Sequence, residues 1–470
     1  MKRVKGLMGI MIACVLLVSM FAGCGSSSKT SSSSAGESNT QAAAGETTKG
    51  EVKLEVLTFS QPHEKAIYDK LITKYQAKYS NVKVNFTVTT QADYGMKIKA
   101  AFAAKKAPDV FYVAPGDLRA WVDAGRLLGL DEYIAKSKDI DINNIWPQAL
   151  KRYKYDGKQT GQGTLYALPK DISAFAYAYN KTMFQKEGIP LPDPNKPYTW
   201  DEFLQVCQKL TKDTNGDGKF DQWGAGFDPA WSLQPFIWNG GAQFLNEDKT
   251  KVMVDTPEFI NALQFFADLT VKYKVTPSQL ESQALGYYQR WLDGQLGFFA
   301  CGNWDVGAFN DPKTLKFDYD LLPWPVKDAS IPSSTWTGSL GFAVSKVSKH
   351  PQEALNLACF LSVDPDGQKE LSDAMIQLPN LMDYAKGEYK SKFTKPANID
   401  VFYNYIEKTG QPLPTEYTYN AEWWDEFQLG IVPVLQGKKT AEQYCKEVAP
   451  KMQAKLDKAI ELSKQNAIKD

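Results

Sequence analysis

From residue 52 the chain alternates apolar and polar side chains: Val52, Leu54 and Val56 are separated by Lys53 and Glu55, a period of two that predicts a half-buried strand. Ile67, Leu71, Tyr75 and Tyr79 then recur at helical spacing, and Val82, Val84, Phe86 and Val88 return to alternation. A second helical stretch, Tyr94 to Lys106, leads into the apolar run Val110-Phe111-Tyr112-Val113. Strand, helix, strand, helix, strand predicts an α/β fold with a parallel sheet. Ligands of such sheets collect at the carboxyl ends of the strands, which points here to Ser60, Gln61, His63, Tyr112 and Asp117.

Further along, Leu168-Pro169-Lys170-Asp171 runs into the aromatic, strand-like Phe175 to Tyr179, read as the passage from a first lobe to a second. Thr199 and Glu202 form a capping box ahead of Trp200 and Phe203. Thr256 and Pro257 open an amphipathic helix through Phe259, Leu263, Phe266 and Leu269. A buried strand, Leu296 to Ala300, ends at Gly302-Asn303-Trp304, and a proline-punctuated connector from Pro323 precedes a strand at Gly341 to Val344 and a helix from Gln352 to Leu361. Helices carrying Trp423 and Trp424, and one beginning at Thr440, close the chain. These shifts divide it into 51–168 (first lobe), 169–322 (second lobe), 323–378 (return to the first) and 379–470 (second lobe and C-terminal helices). Repeated crossings imply a multi-strand hinge that closes on a ligand.

The first 50 residues are of another kind. Lys2, Arg3 and Lys5 precede an apolar run from Leu7 to Phe21 and then Ala22-Gly23-Cys24, the layout of a secretory signal over residues 1–23. Residues 25–50 are dominated by Ser, Thr, Ala and Gly, a composition that cannot bury enough surface to fold, so residues 24–50 read as a tether. Removing the three leading bases from 54 leaves three fewer than the 54 acids, which gives no surplus for nucleic acid. Cys207, Cys301, Cys359 and Cys445 are widely spaced, read as buried small hydrophobes, although one pair could bridge. With only His63 and His350, imidazole catalysis and zinc ligation have little to draw on.

Two features carry candidate chemistry. Asp213, Asn215, Asp217, Lys219 (through its carbonyl) and Asp221 stand at loop positions one, three, five, seven and nine, with Gly218 at six, an oxygen-donor set for a hard cation such as Ca2+ in a structural role. Gly224 occupies the position of the usual bidentate glutamate, so the site is weak or completed elsewhere; a metal-free Asx-rich turn is the alternative. Second, Trp231, Trp238, Trp304 and Trp336 sit beside Gly, Pro, Asn or Asp, where a flat apolar face next to polar groups suits a sugar ring. Packing in a core is the competing role for each.

Ala22-Gly23-Cys24 resembles the lipobox of bacterial lipoproteins, which implies a lipid on Cys24 and a place at the extracellular face of the cell membrane. The body resembles the extracellular solute-binding proteins of ABC importers, in the carbohydrate-binding group that includes maltose-binding protein. The resemblance rests on Ala107-Pro108-Asp109-Val110, Tyr179-Asn180-Lys181, Pro197-Tyr198-Thr199-Trp200, the 213–221 loop, Pro235 to Gly241, Gly302-Asn303-Trp304 and Ala343 to Lys346. It implies a two-lobed type II clamp, each lobe a mixed or parallel sheet flanked by helices, acting as a monomer without enzymatic activity. It further implies a carbohydrate held between the lobes, delivery to permease subunits, a hydroxyl-binding acid at Asp117, a polar contact at Asp171 and aromatic platforms at Trp231, Trp304 and Trp423. A surface glycosidase and a polysaccharide-binding adhesin are the alternatives, and the sugar's identity and length are open. Against the glycosidase, no carboxylate pair stands out in the sequence.

Overall fold

The computed structural model describes residues 50–60, 62–137, 140–338, 340–375 and 377–466. The signal, Cys24 and the tether lie outside them, as does Gln61. Residues from Gly50 onward form one compact unit.

Two sheets organise that unit. The first takes β1 (Val52–Phe59), β2 (Val82–Thr89) and β3 (Val110–Val113) in parallel. Its alternation holds: Leu54 and Val56 are buried while Lys53 and Glu55 face water. After a two-residue pair, β4 (Lys154–Tyr155) with β5 (Thr164–Leu165), the chain adds β6 (Ala167–Pro169). The second sheet is centred on β7 (Ser173–Asn180), antiparallel to β9 (Leu296–Gly302), which in turn pairs in parallel with β8 (Trp223–Gly226). The other edge of β7 is shared by β10 (Tyr319–Leu322) and β11 (Thr335–Gly338). The chain then returns to the first sheet as β12 (Gly341–Val344), antiparallel to both β3 and β6, and β13 (Gly410–Gln411) later pairs with β11. The first sheet is therefore mixed, because its last strand arrives from the second sheet rather than through a helical crossover. The return also comes later than the sequence suggests: the stretch after Pro323 stays with the second sheet until Gly338.

All eight residues of β7 are buried, and its period of two puts Phe175, Tyr177 and Tyr179 on one face. Local signals hold where they are strong. Thr199 and Glu202 close the predicted capping box, with N–H···O distances of 2.8 and 3.3 Å, and Trp200 and Phe203 behind it are buried. The four described cysteines are free and buried.

The crossing between sheets at 170–172 is tied to Leu340, which leads the chain back into the first sheet. Lys170 N–H donates to the Leu340 carbonyl at 2.7 Å. The buried Asn380 side chain donates to the carbonyls of Pro169, Lys170 and Ser362 at 2.7, 3.0 and 2.8 Å, and its own N–H donates to Gln368. Arg152 bonds both the Thr337 carbonyl and Glu416, adding a buried ion pair between distant segments. Stranding a buried carbonyl costs about 1–3 kcal/mol, so Asn380→Ala is expected to destabilise the protein by about 2–4 kcal/mol in denaturant unfolding. A change below ~0.5 kcal/mol contradicts the role given to this side chain.

Candidate ligand-binding cleft

The carboxyl ends of β1 and β3 face the second sheet across a cavity of about 560 Å³, within the range of small-molecule sites. From the first lobe it is lined by Phe59, by Gln91 at the start of the helix Gln91–Ala103, and by Pro115 to Asp117 at the start of the helix Pro115–Asp123. The crossing contributes Lys170, Asp171 and Ser173; the second lobe contributes Trp231, Trp304, Trp336 and Gly338; and the segment 413–421 closes one side.

Three of the predicted tryptophans meet here around a residue that the sequence marks only as part of a strand. The ring of Phe175 lies 5.9 Å from that of Trp231 and nearly parallel to it, 5.0 Å from Trp304 in an edge contact, and 5.5 Å from Trp336. Trp231 and Trp336 are themselves 5.6 Å apart. Such pairs contribute about 0.5–1.5 kcal/mol each beyond the area they bury. Trp231 and Trp304 nevertheless remain 46% and 38% exposed, so their free faces are open to the cleft. Two glycines hold rings against the backbone: a Cβ on Gly302 would come within 2.5 Å of the Trp304 ring, and one on Gly338 within 1.7 Å of Trp336. The Trp336 indole N–H is buried without a partner among the described residues.

Carboxylates stand beside this apolar surface. Asp171 is buried, accepts a bond from the Ser173 hydroxyl at 3.1 Å and faces the Lys170 ammonium at 3.6 Å. Burial pulls the Lys170 ammonium pKa down, but Asp171, Tyr68 and Glu64 together outweigh it and the pKa is raised. Asp117 presents its side chain to the open cleft, where displaced water raises its carboxyl above the ordinary aspartate range against the pull of Lys99. Burial likewise raises Glu416, opposed by Arg152. The arrangement combines aromatic faces with acceptors and leaves Lys170, the sole cation lining the cavity among the described residues, paired to carboxylates.

Three expected site residues are corrected. Tyr112 is fully buried: its hydroxyl bonds that of Tyr68 at 3.1 Å and its ring packs on Phe59 and Phe342, because β3 is covered on both faces. Trp238, 4% exposed, lies inside the helix Pro229–Asn239, whose residues from Ser232 onward are all buried. Trp423 is wholly buried, and its indole N–H donates to the Thr418 hydroxyl at 2.9 Å. Of the residues that sequence reasoning passed over, Lys170 lies in the crossing and Ser173 and Phe175 at the start of β7, whereas Thr415, Glu416, Tyr419 and Asn420 come from a Pro- and Tyr-rich stretch just before Trp423.

The 213–221 loop lies apart from the cleft. Its carboxylates are turned onto the backbone: Asp213 accepts from Gly216 and Gly218 N–H at 2.7 Å each, Asp217 from Lys219 at 2.9 Å and Asp221 from Thr214 at 2.8 Å. Gly216 and Gly218 have φ of 77° and 87°, the left-handed conformation this tight winding requires. Among the described residues no three acidic, His or Cys side chains converge to hold a metal. Gly224 carries no side chain for a packing reason: it sits in β8 where a Cβ would fall 2.4 Å from the Cys207 backbone. A carboxylate has about four acceptor sites, so these bonds leave oxygen lone pairs for a cation.

Comparison with known proteins agrees with this architecture. The maltotriose-binding protein of Pyrococcus abyssi is 26% identical over 275 residues, 57% of this chain and 53% of that protein. The multiple sugar-binding protein of Streptococcus mutans is 24% identical over 163 residues, 34% of each. The chain thus spans about half the length or less of these relatives. An ABC substrate-binding protein from Listeria monocytogenes in complex with cycloalternan superposes with a TM-score of 0.75 at 23% identity, covering 87% of this chain and 99% of that one. The maltose/maltodextrin-binding domain from Bdellovibrio bacteriovorus bound to maltotriose gives 0.68 at 20% identity, over 86% and 100%. These structures share the two-lobed type II fold. The family model for the bacterial extracellular solute-binding protein matches residues 70–398, well over half of the sequence, and this chain belongs to that family.

Proposed function

We propose that this protein is a lipid-anchored receptor on the extracellular face of the membrane that captures a neutral carbohydrate in the cleft and hands it to the permease of an ABC importer. The observation that carries the reading is the cluster of Trp231, Trp304 and Trp336 on Phe175, open to the cleft beside Asp117 and Asp171. C–H faces of a sugar ring stack on indole, and its hydroxyls donate to carboxylates. Relatives whose names specify maltotriose or several sugars support the class of cargo. One relative is named for sn-glycerol-3-phosphate; a phosphate needs an available cation, and Lys170 is already paired. Closure of the lobes traps the ligand, and the closed form is the one that docks on the permease. The anchor is Cys24. No helix among the described residues is long and apolar enough to cross a membrane.

Calorimetric titration with mono- and oligosaccharides is expected to show micromolar binding of one of them without its breakdown. Trp304→Ala is expected to weaken that binding at least tenfold, ~1.4 kcal/mol. Unchanged affinity removes Trp304 from the site, and conversion of the sugar moves the protein to the glycosidases.

Cys24→Ala is expected to abolish metabolic labelling with palmitate and release the protein from the membrane fraction. Labelling that persists in the variant contradicts the anchor.

The Asp213 to Asp221 loop is proposed to bind Ca2+ as a staple, with affinity of about 10⁻⁴ to 10⁻³ M. Ca2+ at about 1 mM should raise the unfolding midpoint by roughly 0.5–1.5 °C, reversibly on chelation, and Asp213→Asn should remove the response. A midpoint indifferent to Ca2+ excludes the site.

A further inference from the structure

Behind the Trp231 and Trp304 rings lies a second chamber, about 600 Å³, wholly within the second lobe. Both tryptophans line it as well as the cleft, and Phe175, on which they pack, lines it too, so the two spaces share a pair of rings as a common border. Its walls are the start of the helix Pro229–Asn239, the end of the helix Pro257–Val271, the helices Gln279–Ala284 and Tyr287–Leu292, and the end of β9. Each space alone falls within the ~300–1,000 Å³ that holds one compact ligand. Joined, they exceed what a single sugar ring fills.

The lining has the chemistry of the cleft. Phe227, Tyr287, Tyr288 and Phe299 supply aromatic surface, and Thr270 and Gln283 supply hydroxyl and amide groups. The Ser232 hydroxyl is fully buried, lines the chamber and has no partner among the described residues. A buried hydroxyl left without a partner carries a free-energy cost that a ligand group can remove. Two carboxylates, Asp228 and Asp305, line the chamber, and no Lys, Arg or His does among the described residues. Asp228 caps Ala230 N–H at 2.9 Å and Asp305 accepts from Gly302 N–H at 3.0 Å, which leaves each with acceptor capacity. Burial pushes the Asp305 carboxyl up to about 7, against the Gly302 bond, and because no cation lines the chamber among the described residues an added anion has no counter-charge to meet.

We infer that the chamber receives the far end of the ligand, so that the cargo is an uncharged or amino-bearing oligosaccharide threaded past Trp231 and Trp304, and that acidic saccharides are refused. The inference rests on the carbohydrate reading of the cleft and adds cargo length and charge to it.

The test is calorimetry of the purified protein with neutral saccharides of one to six units, both α-1,4-glucans and the raffinose–stachyose pair, and with oligogalacturonates as acidic counterparts. Affinity is expected to rise at least tenfold between the short and long members of the neutral series that binds, with no binding of the acidic oligomers. Gly286 borders the chamber with φ −63°, and a Cβ there meets nothing within 4 Å, so Gly286→Phe fills the space without a clash at its root. This variant is expected to reduce the long-to-short affinity ratio at least tenfold. Ser232→Ala, which removes no bond within the protein, is expected to lower affinity for the long saccharide about three- to tenfold with an unchanged unfolding midpoint. A monosaccharide bound as tightly as the longer sugars, with both variants neutral, overturns the inference and leaves the cleft reading intact. Oligogalacturonate bound as tightly as the neutral sugars overturns the charge selection. Silence across the whole panel overturns the carbohydrate reading and this inference with it.

Discussion

Lys170 is buried where the chain leaves one sheet for the other, and an ammonium in that place is tolerated only because carboxylates surround it. Asp171 stands 3.6 Å away and Glu64 4.0 Å. Removing a partner would leave an uncompensated buried charge, which costs several kcal/mol, on the order of 3–5. Much of the cleft follows from this constraint. Asp171 is held in the wall, Ser173 is bonded to it, and two residues later Phe175 emerges at the head of β7 on a fixed face. The same crossing is pinned through its carbonyls by Gln377 and Asn380, so the C-terminal part of the chain also takes its bearings there.

On that base the second lobe builds an aromatic surface with little freedom. Trp304 and Trp336 lie flat over their own backbone because Gly302 and Gly338, two residues away, have no side chain. Trp231 stacks on Phe175 from a helix whose first turn is fixed by Pro229 and the Asp228 cap. Rings immobilised before a ligand arrives lose little entropy on binding, which is the physical advantage of a preorganised site. The surrounding charges are nearly all engaged, Lys170 with Asp171 and Glu416 with Arg152, and that suits an uncharged, hydroxyl-rich ligand better than an ion.

How far this could be read from the sequence depended on the range of the interaction. The period-two runs at Val52 and Val82, the Thr199–Glu202 box and the Pro257 start are local, and each is found as expected. Trp231, Trp304 and Trp336 were legible because glycine, proline and acidic neighbours mark loop ends. Trp238 shares those neighbours but is buried within its own helix, Trp423, placed only by the family resemblance, is buried as well, and Tyr112 is covered because β12 pairs with β3 from more than two hundred residues away. Phe175 had no signal of its own; only the meeting of three distant segments makes it the centre of the platform. The 413–421 wall was invisible for the same reason.

In the proposed receptor one ligand is gripped by both lobes at once. Hydrogen exchange read by mass spectrometry, with and without a saturating neutral saccharide, tests it most directly. Slowed exchange is expected on both sides of the cleft together, in 111–121 of the first lobe, in 170–176, 230–233, 302–306 and 335–338, and in 413–421. Protection confined to a single lobe, or to surfaces away from these segments, would contradict it.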